Sequence, residues 1–240
     1  MTTTLPPSGP TDPPADHLFY PPRASRGTRG PFKPNRGSSR ARIVGGTIPT
    51  VMYMESGLEK KAVYCMLADL DVVDVQEQPP AIDYVDVDGK TVSYTWDARV
   101  TLRCGTRILV AIKPAKIALK LGLRQTIERY AAQTPRSVAD KAVLITGEKL
   151  PRDLVHDALL IHSVRRDPDS PADDAVRHFV NGLAGSVTIG TIVRATGAGA
   201  AAFRAAVRLI AEGTLSVVGP GRITYSTRVS ARSSIPGRAA

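Results

Sequence analysis

Apolar residues recur every three or four positions in the first patterned segment, "MESGLEKKAVYCMLADLD". Such spacing predicts an amphipathic helix of about 15 residues. The positions that share the apolar face are Leu58, Ala62, Cys65, Met66 and Leu70. Ser56 and Glu59 fit the S-x-x-E pattern of a capping box, which indicates where this helix begins.

Alternating apolar and polar positions follow, at about residues 91–102 and 107–113. A Cys-Gly-Thr tripeptide separates the two runs, so we predict a β-hairpin. Before it, Asp-Gly at 88–89 supplies a turn, and two prolines at 79–80 interrupt "VVDVQEQPPAIDYV". A helical pattern in "KLGLRQTIERYAAQTPR" and a short strand in "AVLITGE" come next. This order predicts an α/β unit with a mixed sheet flanked by helices.

The pattern after Glu148 is mainly helical. Two helices are expected in "LPRDLVHDALLIHSVRR" and "ADDAVRHFVNGLAG". Two shorter helices separated by Thr-Gly at 196–197 and ending at Gly213 follow, and then a two-stranded ribbon with Gly-Pro-Gly at 219–221 as its turn. Helix, tight turn, helix and hairpin is the order of a winged helix.

The two ends of the chain have an unusual composition. Residues 1–50 hold ten of the nineteen prolines and a charge of +5, and residues 222–240 carry +4, out of a total of +10. Segments with so little apolar surface are expected to be disordered, and basic arms suit contact with phosphates, although a solvated tail without a ligand would look the same. We therefore predict a basic tail at 1–50, an α/β domain at 51–150, a helical and winged-helix domain at 151–229 and a tail at 230–240.

Two cysteines make neither a disulfide framework nor a metal cluster, which fits a reducing compartment. No run of 18 apolar residues appears, so no membrane partner is expected. We expect a cytoplasmic protein.

Residues 55–114 resemble the N-terminal domain of the TnsA-type transposon endonucleases. The segments that carry the resemblance are "ESGLE", "VVDVQEQPPAIDY", "YTWDARV" and "ILVAIKP". The resemblance implies a restriction-endonuclease-like fold of the PD-(D/E)XK superfamily, followed by a winged helix. It also implies DNA cutting beside a transposase, with an ATPase adaptor as a further partner.

Transferred to this chain, the family's site residues fall on Glu59, Asp97 and Lys113. Two carboxylates suit Mg²⁺ or Mn²⁺, which prefer oxygen ligands and acidify a bound water, and the lysine would offset developing charge. Glu55, one helical turn before Glu59, is a reserve ligand.

One ligand of the pattern is missing, because position 111 is alanine. Strand alternation would put residues 111 and 113 on one face, so the third ligand should come from there. The backbone carbonyl of Ile112 could substitute, which leaves either a weak one-metal nuclease or an inactive one.

Simpler roles exist for each residue. Glu59 could only cap its helix. Asp97 and Lys113 could be ordinary strand-end residues. Glu77 and Gln78 could line the site or a DNA groove, or hold the bend before the two prolines.

The second expected helix of the winged helix is "GAAAFRAAVRLIAEG". Arg204 and Arg208, four residues apart, should share its outer side and contact phosphates or guanine edges. Arg222 and Arg228 in and after the wing would add backbone contacts. A protein–protein role for this domain remains open.

The sequence therefore favours a divalent-metal-dependent DNA endonuclease of a mobile element or a domesticated derivative, associated with the nucleoid through double-stranded DNA. Two alternatives stay open: an inactive nuclease-fold protein that binds DNA or assembles with partners, and a winged-helix transcription regulator. The oligomeric state, a homodimer included, is undetermined.

Overall fold

The structure is a computed structural model that describes residues 21–28 and 39–232. Within these ranges the chain is mixed α/β, with seven α-helices and both antiparallel and parallel strand pairs. The α/β class and mixed sheet expected from the sequence are confirmed. None of the helices in the described ranges is long and apolar enough to span a membrane.

A four-stranded sheet is the centre of the first half, with strand order β3-β6-β7-β8. Strands β3, β6 and β7 pair antiparallel, and β7 pairs parallel with β8. Their bounds are Val72–Glu77, Ala98–Leu102, Arg107–Ile112 and Lys141–Ile145. At one end of the sheet β3, β7 and β8 finish and β6 starts, and we call this the convergent end.

One face of this sheet is covered by helix α1 (Gly57–Ala68) and by the hairpin of β1 (Ala41–Gly45) and β2 (Thr50–Met54). Alternate residues of the strands, such as Val75 and Val110, pack there with Val63 of the helix in one apolar cluster. The N-terminal turn of α1 lies near the convergent end, because Leu58 approaches the segment that follows β8.

An aromatic cluster covers the other face. It joins the antiparallel pair β4 (Ile82–Val85) and β5 (Thr91–Tyr94) to helix α3 (Leu123–Gln133), which follows the short helix α2 (Ala115–Lys120). The Trp96 Nε1–H donates to Tyr84 Oη at 2.9 Å, and the Tyr84 ring stacks on Tyr130. This hydrogen bond satisfies the polar ends of two fully buried rings, as buried Trp and Tyr require.

The second half packs around its own apolar cluster. It contains four helices, α4 to α7, and a three-stranded sheet of order β10-β11-β9. The helix bounds are Arg152–Arg165, Ser170–Asn181, Ile189–Thr196 and Gly199–Glu212; the strand bounds are Ser186–Thr188 for β9, Leu215–Val218 for β10 and Arg228–Ala231 for β11.

Three expected elements differ in detail. The strand predicted at 91–102 is two strands in different sheets, because the chain bends at residues 95–97 to bury Trp96. The helical pattern after Lys113 is divided into α2 and α3 at Gly122, which has a positive φ of 57°. Strand β9, which pairs with β11, was not expected.

Part of the predicted N-terminal tail is structured. Residues 41–45 form β1, and residues 21–28, which we call the strap, run from the start of β2 to the end of β3. The Thr28 N–H donates to the Gln78 carbonyl at 3.0 Å. Disorder is therefore wrong for these residues, and likewise for residues 230–231, which belong to β11. The rest of both predicted tails lies outside the described residues.

Candidate active site at the convergent end

The first turn of α1 holds Glu59 through a capping box. Ser56 Oγ accepts the Glu59 N–H at 3.1 Å, and the Glu59 carboxylate accepts both the Ser56 hydroxyl at 3.0 Å and the Glu55 N–H at 2.8 Å. The capping interpretation is therefore confirmed. Because Glu59 is buried, these contacts fix where its carboxylate lies at the convergent end.

Asp97 lies immediately before β6, and both its backbone and its carboxylate make hydrogen bonds. Its backbone N–H donates to Val110 and its carbonyl accepts from Gln78, both at 3.0 Å. Its carboxylate accepts the Ile112 N–H at 2.6 Å, and Lys113 Nζ lies 3.1 Å from the same oxygen. The strand-end lysine is therefore not simply solvated; it is paired with Asp97.

The charges of both Asp97 and Lys113 influence the pKa of Glu59. Burial raises the pKa of Glu59 above its ordinary value, and the negative charge of Asp97 raises it further. The hydrogen bonds from Glu55 and Ser56 and the positive charge of Lys113 oppose that shift in the pKa. Three residues distant in sequence thus interact through their charges at one end of the sheet.

Position 111 departs from the expected geometry. Ala111 is fully buried in the aromatic cluster that contains Trp96, whereas Lys113 lies beyond the last residue of β7 and turns to Asp97. The third side-chain ligand expected from position 111 is absent, because that position holds a buried methyl group. The Ala111 methyl group belongs to the same cluster as Trp96 and as Ile127 and Tyr130 of α3.

Glu77, for which the sequence left two roles open, lies at the convergent end. This last residue of β3 is opposite Ala98 in the register and is buried. Its Oε1 accepts the Ser25 hydroxyl of the strap, while its Oε2 has no hydrogen-bond partner among the described residues. A Cβ at Gly27 would lie 3.2 Å from Glu77 Cγ, so the strap passes directly over the carboxylate.

Gln78, the next residue, holds the bend. Its φ of +41° is uncommon for a residue with a side chain. The strap and Asp97 both hydrogen-bond to its backbone. The bend interpretation therefore fits Gln78, which is buried as Glu77 is.

The carboxylates at the convergent end supply some of the oxygen ligands that a divalent cation requires. In residues 21–28 and 39–232, no three side chains of His, Cys, Asp or Glu are grouped as metal ligands. Two carboxylates that repel each other, Glu59 and Asp97, are nonetheless the oxygen donors that Mg²⁺ or Mn²⁺ prefers, and Mg²⁺ commonly keeps several waters. A cation bound by Glu59 and Asp97, with Glu55 or the Ile112 carbonyl as a further ligand, stays a prediction.

The four arginines predicted to bind DNA occupy different environments. Arg208 is only 5% exposed: its Nε donates to Asp173 at 2.7 Å and its Nη1 to the Asp167 carbonyl at 2.8 Å. Arg208 Nη2 lies 2.7 Å from the same Asp173 oxygen without making a hydrogen bond. The prediction that Arg204 and Arg208 share the outer side of α7 is therefore wrong for Arg208, which is a structural residue.

The other three arginines are at the surface, and each has a partner. Arg204 pairs with Asp167 at 2.5 Å and Arg222 with Asp153 at 2.7 Å. Arg228 donates to the Ser186 carbonyl at 2.9 Å. Exposed pairs of this kind contribute little to stability and can exchange for a phosphate.

Comparison with known proteins does not add to this description. No protein-family model matches the chain, and no curated protein sequence is similar to it.

Proposed function

We propose that this protein is a divalent-metal-dependent DNA endonuclease, similar to the TnsA-type enzymes, whose site is formed by Glu59, Asp97 and Lys113. The observation that carries the proposal is the hydrogen-bonded contact of Lys113 with Asp97, next to a buried Glu59 that both charges influence. A buried carboxylate with a perturbed pKa beside a lysine is typical of functional sites.

Each residue has a distinct role in the proposal. Glu59 and Asp97 would hold the cation through carboxylate oxygens that their neighbours orient. Mg²⁺ or Mn²⁺ would there polarise a phosphate and lower the pKa of a bound water. Lys113 is held within reach of the same place, where its charge stabilises negative charge that develops on a phosphate. The Ile112 N–H fixes the orientation of the Asp97 carboxylate.

The proposed substrate is double-stranded DNA, for which the net charge of +10 gives general electrostatic attraction. Exposed Arg204, Arg222 and Arg228 are proposed to contact its backbone. By the same resemblance, a transposase and an ATPase adaptor are the proposed partners.

The test is cleavage of supercoiled plasmid in Mg²⁺ and in Mn²⁺, with metal binding measured by calorimetry on the same preparations. Asp97→Ala is expected to abolish both metal binding and cutting. Asp83→Ala is the matched control, because Asp83 is an exposed strand aspartate away from the site. Cutting by Asp97→Ala at the wild-type rate would refute the proposal.

A second candidate, an inactive nuclease-fold protein that binds DNA, is favoured by one observation: the position of the missing ligand is filled by the buried methyl group of Ala111. Duplex binding by the wild type, with neither metal binding nor cutting in Mg²⁺ or Mn²⁺, would support this candidate over the endonuclease.

A further inference from the structure

The chain leaves the convergent end at Lys113 and forms an exposed basic segment, residues 114–124, which contains α2 and which we call the α2 segment. Residues 113–127 contain four lysines and arginines and no acidic residue. Lys116, Lys120 and Arg124 are all exposed, and none makes a hydrogen bond or ion pair with a described residue. In the second half of the chain, in contrast, Arg204, Arg222 and Arg228 have partners.

Large apolar side chains lie between these cations. Leu119 is 85% exposed, Leu121 59% and Ile117 43%. Ala118 is buried and holds the short helix against the body, so the leucines project from an anchored element. Solvating these side chains has a free-energy cost, and contiguous exposed apolar groups of this kind typically mark a binding surface.

We propose that the α2 segment docks on duplex DNA beside the active site, with its three cations on phosphates and Leu119 inserted at a base step. This inference rests on the proposed function and names a contact surface for that substrate. Apolar side chains that enter between base pairs, flanked by cations on the backbone, unstack and kink a duplex. A kink next to Lys113 would open the backbone to the candidate site.

The charge distribution favours DNA over two other occupants. A second copy of the same segment on a two-fold axis would oppose like charges, which disfavours self-association. A membrane surface would need a longer amphipathic helix than the six residues of α2 (Ala115–Lys120). Phosphates on both sides of a base step match cations on both sides of Leu119.

The test uses the full-length protein in EDTA, so that binding is measured without cutting. Titrations at several salt concentrations compare the wild type with a triple variant, K116Q/K120Q/R124Q. The slope of log K against log salt is expected to shrink by about 3, since each phosphate contact contributes about 0.9. K61Q/K90Q/K141Q removes the same charge from exposed sites elsewhere and is expected to change the slope much less.

Leu119→Ala isolates the apolar contact. A duplex carrying 2-aminopurine is expected to brighten when the wild type unstacks it, and this increase should disappear in Leu119→Ala while the salt slope is retained. Leu159→Ala, at a leucine on α4 that is 42% exposed, is the control and should behave as wild type. All eight substituted positions are at the surface, and unchanged melting temperatures would verify folding.

Three results would overturn the inference: equal salt slopes for the two triple variants, a 2-aminopurine signal that survives Leu119→Ala, or crosslinking of a photoreactive residue at 119 to a second copy of the chain or to lipid vesicles instead of DNA. Plasmid cutting, assayed separately in Mg²⁺, distinguishes the two proposals. If the wild type cuts plasmid but substitutions in the α2 segment do not change DNA binding, only the docking surface is refuted. If those substitutions weaken DNA binding as expected but the wild type does not cut, only the endonuclease is refuted.

Discussion

Lys113 Nζ lies 3.1 Å from Asp97 Oδ2, and the same oxygen accepts the Ile112 N–H, so one carboxylate joins the end of β7 to the start of β6. We expect Asp97→Asn to retain an acceptor for the Ile112 N–H and to be only mildly destabilised. Asp97→Ala leaves that N–H without its partner and should cost about 1–3 kcal/mol in the free energy of unfolding. Urea unfolding measures both, and an alanine variant as stable as the asparagine variant would contradict the role of the hydrogen bond.

Glu59 gives the fold a defined pH dependence. Its pKa is raised in the folded protein, so the folded state holds the proton more tightly than the unfolded state does. The contribution of Glu59 to stability is therefore fully present below its ordinary pKa and is lost as pH rises through the raised value. Glu59→Gln should lack this loss, which urea unfolding from pH 4 to pH 8 would detect. The same dependence of stability on pH in wild type and Glu59→Gln would contradict a raised pKa of Glu59.

Ala111→Glu restores the residue that the nuclease pattern expects, yet we predict that it destabilises the protein by several kcal/mol and does not create a metal ligand. A carboxylate at this position would be buried among Trp96, Tyr84 and Tyr130 without a cation. Gln125→Glu, on the exposed surface of α3, is the control for added charge. A stable Ala111→Glu variant that binds Mn²⁺ more tightly than wild type would show that position 111 reaches the site.

Substitution of the two arginines of α7 by alanine should lower stability by different amounts. Arg208→Ala removes a buried guanidinium from Asp173 and should cost about 3–5 kcal/mol, because a partly buried carboxylate loses its counterion. Arg204→Ala breaks an exposed pair and should change stability by less than about 1 kcal/mol. Equal losses in thermal or urea unfolding would contradict the burial of Arg208.

The two cysteines should differ in reactivity. Burial raises the pKa of Cys65 to about 11, whereas contacts with Thr106 lower the pKa of the exposed Cys104 thiol below its ordinary value. Because the thiolate is the reactive form, iodoacetamide near pH 7.5 should alkylate Cys104 first. Mass spectrometry of peptides at short times measures this order, and Cys104→Ser leaves only the slow site. Faster labelling of Cys65 would be inconsistent with its burial.

Much of the element order was readable from local patterns. The helix of Ser56 and Glu59, the hairpin at 104–106 and the helices of the second half each follow from spacing, caps and glycines that act over a few residues. The convergence of Glu59, Asp97 and Lys113 was suggested by resemblance and not by spacing. Neither source could show that Lys113 contacts Asp97, which depends on the bend that buries Trp96.

What could not be predicted depends on long-range packing. Alternation along β7 gives the face of residue 111 but does not reveal that this face is covered by α3 and an aromatic cluster. Arg208 looked like a surface residue because its spacing matches Arg204, but α4 and α5 surround it. The strap belongs to a proline-rich stretch whose composition indicates disorder. Contacts with residues distant in sequence, in β2, in β3 and at Gln78, hold it in place.

Arg165 near the end of α4 has a consequence for how the two halves work together. Its guanidinium donates to the Leu67 carbonyl in the last turn of α1 and to the Ala211 carbonyl in the last turn of α7. Rotating one half against the other would break the hydrogen bond to Leu67, while the bond to Ala211, within the second half, would remain. If both halves engage one duplex, as the proposed function requires, the packing of α4 against α1 fixes the distance in base pairs between the DNA at the second half and the DNA at the candidate site, whatever duplex is bound.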